Sequence, residues 1–171
     1  NWGITIPYMQ KSGVSMTDIF EYCNNEDQKT LATKAPVHEV LLDMAVTKLP
    51  GPVEAQPYRI PNIWTGDLDS EIGKAMVKCD PEAELAMMIT KIWMDPHAGE
   101  VAVGRIYSGA ISQGESVFAI GAAKPERVQQ VSMMVGGDRI TVPKVVAGNI
   151  AALTGIRSAA AGVTLSRDKD F

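Results

Sequence analysis

Cysteine is scarce in these 171 residues: only Cys23 and Cys79 occur, far apart and at no metal-ligand or redox spacing. That excludes a disulfide scaffold and a cysteine-built zinc site, and predicts two free thiols in a reducing compartment, the cytoplasm. Aromatic residues make up 6% of the chain, too few to line a stacking face for single-stranded nucleic acid. No apolar run approaches the roughly 18 to 20 residues that a membrane-spanning helix needs, and no charged-then-apolar leader precedes the first turn signal. An excess of cations is missing too. Sixteen basic side chains face twenty acidic ones, for a net charge of −4, which excludes gripping nucleic acid by bulk charge. The chain begins at Asn1 with no initiator Met, which fits a piece of a longer protein and equally a processed or trimmed one.

What is present is the composition of a soluble globular protein, 46% hydrophobic and 21% charged. The charge is uneven. Residues 1–80 carry seven basic and eleven acidic side chains, whereas residues 81–171 carry nine of each. The neutral second half is therefore the part expected to meet an anionic partner, through local contacts.

The texture changes near Cys79-Asp80-Pro81, from helix and irregular connection to short strands broken by Gly, Asp and Pro. Ser15 with Asp18 three residues on predicts a helix start, the acidic side chain opposing the exposed N–H groups of the first turn. Asn25 with Gln28 predicts a second short helix in the same way. The clearest helix spans 36–49, with Val37, Leu41, Met44 and Lys48 on one stripe, Pro36 at its first position, and Pro50-Gly51-Pro52 as its stop. That stripe needs a partner surface. Pro52, Pro57 and Pro61 predict an extended linker up to Trp64.

Beyond it, an apolar run at 85–94, a turn at 95–99 and a returning segment at 100–107 predict a hairpin. Further strands are expected at 116–120, 127–134, 140–142, 150–154 and 163–166, separated by turns at Gly109, Gly114, Gly121, Gly136-Gly137-Asp138 and Ala147-Gly148-Asn149. Short strands so closely spaced predict a mainly β protein, a closed Greek-key barrel preceded by a short α-helical segment.

Catalytic motifs fail on inspection. Gly66 to Ala75 has six residues before its Gly-Lys where a phosphate loop has four, no hydroxyl after the lysine, and three carboxylates that would repel a phosphate. As a calcium loop, the same stretch has its glycine one place late and Lys78 where a closing Glu belongs, so a solvated acidic loop is expected. His38 and His97 have no nearby Cys or Ser to activate. In each of Met87-Met88 and Met133-Met134, the alternation of a strand sends one side chain to the core. Three cations in the second half, Arg105 in mid-strand and Lys124 and Arg127 around Pro125, are the candidates for a local RNA contact, beside the plainer reading of solvated surface charge.

Several stretches then become recognisable together. They are residues 88–109 (MITKIWMDPHAGEVAVGRIYSG), Gly114, 127–131 (RVQQV) and 147–155 (AGNIAALTG), with 58–64 (YRIPNIW) upstream. In order and spacing this closely resembles domain II of the elongation factor G and elongation factor 2 family of translational GTPases, in its archaeal form. The resemblance implies a helical end of a G domain at 1–51, a linker at 52–80, domain II at 81–166 and the start of a further linker at 167–171. It also implies a cytoplasmic factor that moves tRNA and mRNA through the ribosome using GTP and Mg²⁺, with domain II resting on small-subunit rRNA and beside the G domain. The phosphate loop, switch segments, catalytic His and guanine-reading motif of that family are absent from these residues. No catalytic, cofactor-binding or metal-binding residue is therefore assigned to this chain, and no membrane partner. A stand-alone barrel enzyme with an unrecognised carboxylate or His site, and a free-standing RNA-binding barrel, are the competing readings.

Overall fold

In the first unit, Asn1–Pro50, helices α1 (Trp2–Ser12), α2 (Met16–Asn24), α3 (Gln28–Lys34) and α4 (Val37–Lys48) follow one another. These come from a computed structural model that describes residues 2–169 and 171. Asn1 and Asp170, which belong to the expected segments 1–51 and 167–171, lie outside the described residues. Ser15 starts α2 as its spacing predicts, in a reciprocal capping box. Its Oγ accepts from the Asp18 N–H at 3.1 Å, and the Asp18 carboxylate accepts from the Ser15 N–H at 2.7 Å. The cap of α3 is Asp27 and not Asn25, because Asp27 is one residue outside the helix and its Oδ1 reaches the Thr30 N–H at 3.4 Å and the Thr30 hydroxyl at 2.7 Å. The expected helix at 36–49 is α4, with Pro36 just outside it as the cap residue. Tyr8 of α1 fastens to the start of α4, its hydroxyl 3.1 Å from the Pro36 carbonyl and 3.3 Å from the Glu39 carboxylate. No side chain of α4 is buried; Val37, Leu41, Leu42 and Val46 of this helix are all exposed.

The second unit, Gly51–Phe171, opens with two helices where a linker is expected. Helix α5 (Pro52–Ile63) replaces the extended chain expected up to Trp64, so that reading is corrected, and α6 (Glu71–Lys78) follows. Pro52 takes the first turn, where a missing N–H is no loss. Pro57 and Pro61 are both exposed, so the carbonyls they leave unpaired face water, while Ala55, Gln56 and Ile60 on the opposite side are buried. Ile60, Met76 of α6 and Ala86 of the sheet form one small core, flanked by Trp64, Ile72, Val77 and Tyr107. Gln56 completes the joint, donating from Nε2 to the Met76 carbonyl and, at 2.9 Å, to the Tyr107 carbonyl. The expected acidic loop is confined to its first residues, since Ser70 caps α6 by accepting from the Gly73 N–H at 3.1 Å.

Strands β1 (Ala86–Asp95) and β2 (Gly99–Ser108) form the expected hairpin, with Asp95 Oδ1 accepting from the His97 and Ala98 N–H groups at 2.8 and 2.9 Å in the turn. There follow β3 (Ala110–Ser112), β4 (Ser116–Ala119), β5 (Glu126–Arg127), β6 (Gln130–Val135), β7 (Asp138–Thr141), β8 (Lys144–Val146), β9 (Ile150–Thr154) and β10 (Thr164–Ser166). The strand expected at 127–134 is thus interrupted, and the interruption curls the sheet. All pairs are antiparallel, and the main sheet runs β5-β4-β10-β1-β2-β9-β6-β7. Its β5 and β6 are consecutive in the chain. Val128 bonds with the β4 side (its N–H to Glu115 O, its carbonyl from the Gly114 N–H, both 2.8 Å), while the Gln129 N–H already donates to Thr154 O of β9 at 2.9 Å. One strand, broken in the middle, therefore bonds to the β4 side through its first half and to β9 through its second, and so curls the sheet.

The interior is filled by Leu85, Met87, Ile89, Ile106, Ile111, Val117, Val128, Val131, Leu153 and Leu165, all fully buried. Met87 and Met133 are the core-facing members of the two methionine pairs. At Gly104, where β2 crosses β1, a Cβ would fall on the Met88 carbonyl oxygen, so the approach of the two strands requires glycine.

Candidate nucleic-acid interface

The three cations expected to meet RNA do not converge. Arg105 stands on the outer face of β2, opposite Met88 of β1 and Ile150 at the start of β9. Its guanidinium lies over the Tyr107 ring, 5.8 Å from the centroid, beside the small core that α5 and α6 make with the sheet. It also faces Cys79, the left-handed cap residue of α6. Burial pushes the Cys79 thiol up and the Arg105 charge opposes that shift, so the thiol stays protonated at neutral pH.

Arg127 belongs to the opposite end of β9. It pairs with Ser116 of β4, both side chains exposed on the outside, and its Nε donates to the Gly114 carbonyl at 3.1 Å. Lys124 is exposed in the connection that leads into β5. Lys124 and Arg127 thus share one rim of the barrel and Arg105 is a separate point.

A third cation on that rim escapes a reading by sequence proximity. Residues 155–160 cross the mouth of the barrel, with Ile156 inserted in the core and Ala159 packed against it. Gly155 begins this crossing at φ +94°, and its backbone passes so close to β5 that a Cβ would lie 2.7 Å from the Arg127 carbonyl oxygen. Glu126 pairs with the core residue Val117 and so turns inward, where its carboxylate accepts from the N–H groups of Arg157 and, at 2.9 Å, Ser158. Burial works to raise the Glu126 pKa, but the Ser158 hydroxyl, these two N–H groups and the Arg157 charge outweigh it. The carboxyl titrates below its usual range. The Arg157 side chain is exposed and borders an open cleft of about 370 Å³ with Gln129, Ala98 and Glu100.

Other charged groups are engaged in holding the barrel together. Arg167 donates to the Ala110 carbonyl at 2.7 Å and meets Glu115 at 3.3 Å, and Arg139 meets Asp95 at 3.7 Å. Among the described residues no cluster of His, Cys, Asp and Glu is arranged to hold a metal ion. Nor does the Gly66 to Ala75 stretch fit a nucleotide. The Gly73 N–H is taken by Ser70, and the space at its Cα is closed by the Asp67 and Leu68 backbone.

Comparison with known proteins agrees with this architecture. Residues 84–168 match the family model described as elongation factor G domain 2. The chain is 56% identical to elongation factor 2 of Methanococcus aeolicus and 54% identical to that of Methanococcus maripaludis, in each case over 165 residues, 96% of this chain and 23% of the relative. It is 50% identical over 169 residues to elongation factor 2 of Thermococcus gammatolerans, covering 99% of this chain and 23% of the relative. The chain therefore spans about a quarter of the length of these relatives. With a curled antiparallel sheet in the matched region and identity running through the helices before it, the chain belongs to the elongation factor G and elongation factor 2 family, as a segment that contains domain 2.

Proposed function

We propose that this segment serves a cytoplasmic ribosomal translocase as a contact module, resting on small-subunit rRNA and on the GTP-binding domain, and performs no chemistry itself. The observation that carries the reading is the filled interior. Fifteen buried apolar residues occupy the barrel, so whatever unit 2 does, it does with its outer surface. The GTP and Mg²⁺ of the longer protein are assigned to residues outside this chain. Residues 1–51 are assigned to the end of the GTP-binding domain, whose remainder would cover the exposed side chains of α4, and 167–171 to the start of the connection onward.

For the RNA contact, Lys124 and Arg127 form one point and Arg105 a second. Phosphate contacts of this kind are worth a measurable salt dependence even on a chain of net negative charge. The test is sedimentation of the chain with purified archaeal small ribosomal subunits across a salt series. Binding that weakens with salt, and weakens again in Arg105→Glu, Lys124→Glu and Arg127→Glu, supports the assignment; charge reversals without effect in the full-length factor remove it. Nucleotide turnover by the purified chain would overturn the non-catalytic reading.

A further inference from the structure

Glu126 is an acidic residue in the middle of a cationic rim, and simple electrostatics would have it repel RNA. Its geometry says otherwise. The carboxylate is turned inward with Val117 and is spent on the Arg157 and Ser158 N–H groups, 31 and 32 residues along the chain. Those bonds pin the segment that crosses the barrel mouth on one side, while Ile156 anchors it from within. Between the two anchors the backbone at 157 has little freedom, so the Arg157 side chain projects from a fixed point next to β5. Lys124 and Arg127 flank the same carboxylate in sequence, two residues before it and one after. Arg127 is itself held against Gly114. Among the described residues, Glu100, across the adjoining cleft, is the opposing carboxylate that lines it.

We propose that Arg157 joins Lys124 and Arg127 in a three-cation rim for RNA phosphates, and that Glu126 is the positioning residue that holds Arg157 there. This rests on the RNA-contact reading above and adds to it a residue and a mechanism. Phosphate contacts act as point neutralisations, and each removes one counterion-release step when lost. A fixed backbone beneath the Arg157 side chain spares the cost of ordering that backbone on binding.

The test uses the whole chain and purified archaeal small ribosomal subunits. Arg157→Gln is expected to lower the slope of log affinity against log salt by about 0.7 to 0.9, the value of one phosphate contact, with Arg157→Lys retaining most of it. Glu126→Ala and the isosteric Glu126→Gln are both expected to weaken binding, by about two- to tenfold for the alanine, and to increase hydrogen exchange at the Arg157 and Ser158 amides. Deleting a negative charge from a rim that acts by charge alone would tighten binding instead. Tighter binding by both Glu126 variants overturns the positioning role, and an unchanged salt slope in Arg157→Gln overturns the contact. A wild-type chain that does not bind at all overturns the RNA reading itself, and this assignment with it.

Discussion

Adding one methyl group at residue 104 measures how tightly β1 and β2 are apposed. The new carbon would overlap the Met88 carbonyl oxygen, a backbone atom that cannot swing aside as a side chain can. Gly104→Ala is expected to destabilise unit 2 by about 1–3 kcal/mol, the usual range for overpacking, read as a lower urea midpoint. Glu126 gives a residue-scale prediction in pH. Its folded pKa lies below its unfolded one, so its contribution to stability is complete above the unfolded value and is lost as pH falls through the folded value. Below the ordinary carboxylate range the urea midpoint should therefore fall more steeply in the wild-type chain than in Glu126→Gln, and equal slopes would contradict the pinned carboxylate. That Lys124 and Arg127 lie close together could be read from the sequence, because only Pro125 and Glu126 separate them. The contact of Arg157 with Glu126 could not, since it exists only once the sheet curls and brings β5 to the loop after β9.

Elements were legible wherever a local period or cap decides them. Ser15 and Asp18 define the start of α2 by their own chemistry, and Ser15→Ala should cost about 0.5–2 kcal/mol, visible as a loss of helical circular dichroism. The β1–β2 hairpin follows from its apolar runs and from Asp95 in the turn. Helix α5 goes against its local signal. Three prolines in twelve residues argue for extended chain, yet burial of Ala55, Gln56 and Ile60 decides the outcome, and two of the prolines are tolerated because they lie on the wet face. Tertiary packing outweighs propensity there, and its centre is Gln56, 1% exposed and bonded to carbonyls of both α6 and β2. Gln56→Ala leaves those two carbonyls without that donor and opens a hole, a loss of about 2–4 kcal/mol. Hydrogen exchange should show α5 and α6 loosening while β4 and β9 stay protected.

At the scale of the whole chain, the two units differ in what holds them together. Gly51–Phe171 has a continuous core of buried side chains, a sheet curled by the β5–β6 strand, and helices α5 and α6 fastened to its outer face. Asn1–Pro50 has Tyr8 and Val14 as its buried apolar residues, while Trp2, Phe20, Val37, Leu42, Val46 and Leu49 remain more than half exposed. Hydrophobic burial is the main favourable term in folding, and a unit that leaves this much apolar surface in water gains little of it. Residues 51–171 expressed alone are therefore expected to unfold cooperatively, with a β-type spectrum and a urea midpoint close to that of the intact chain. Residues 1–50 alone are expected to show helical signal but a broad, weakly cooperative melt, because caps and a few tyrosine contacts do not make a core. Such an outcome would locate the chain's intrinsic stability in the barrel, and a sharp transition from the helical half would contradict it.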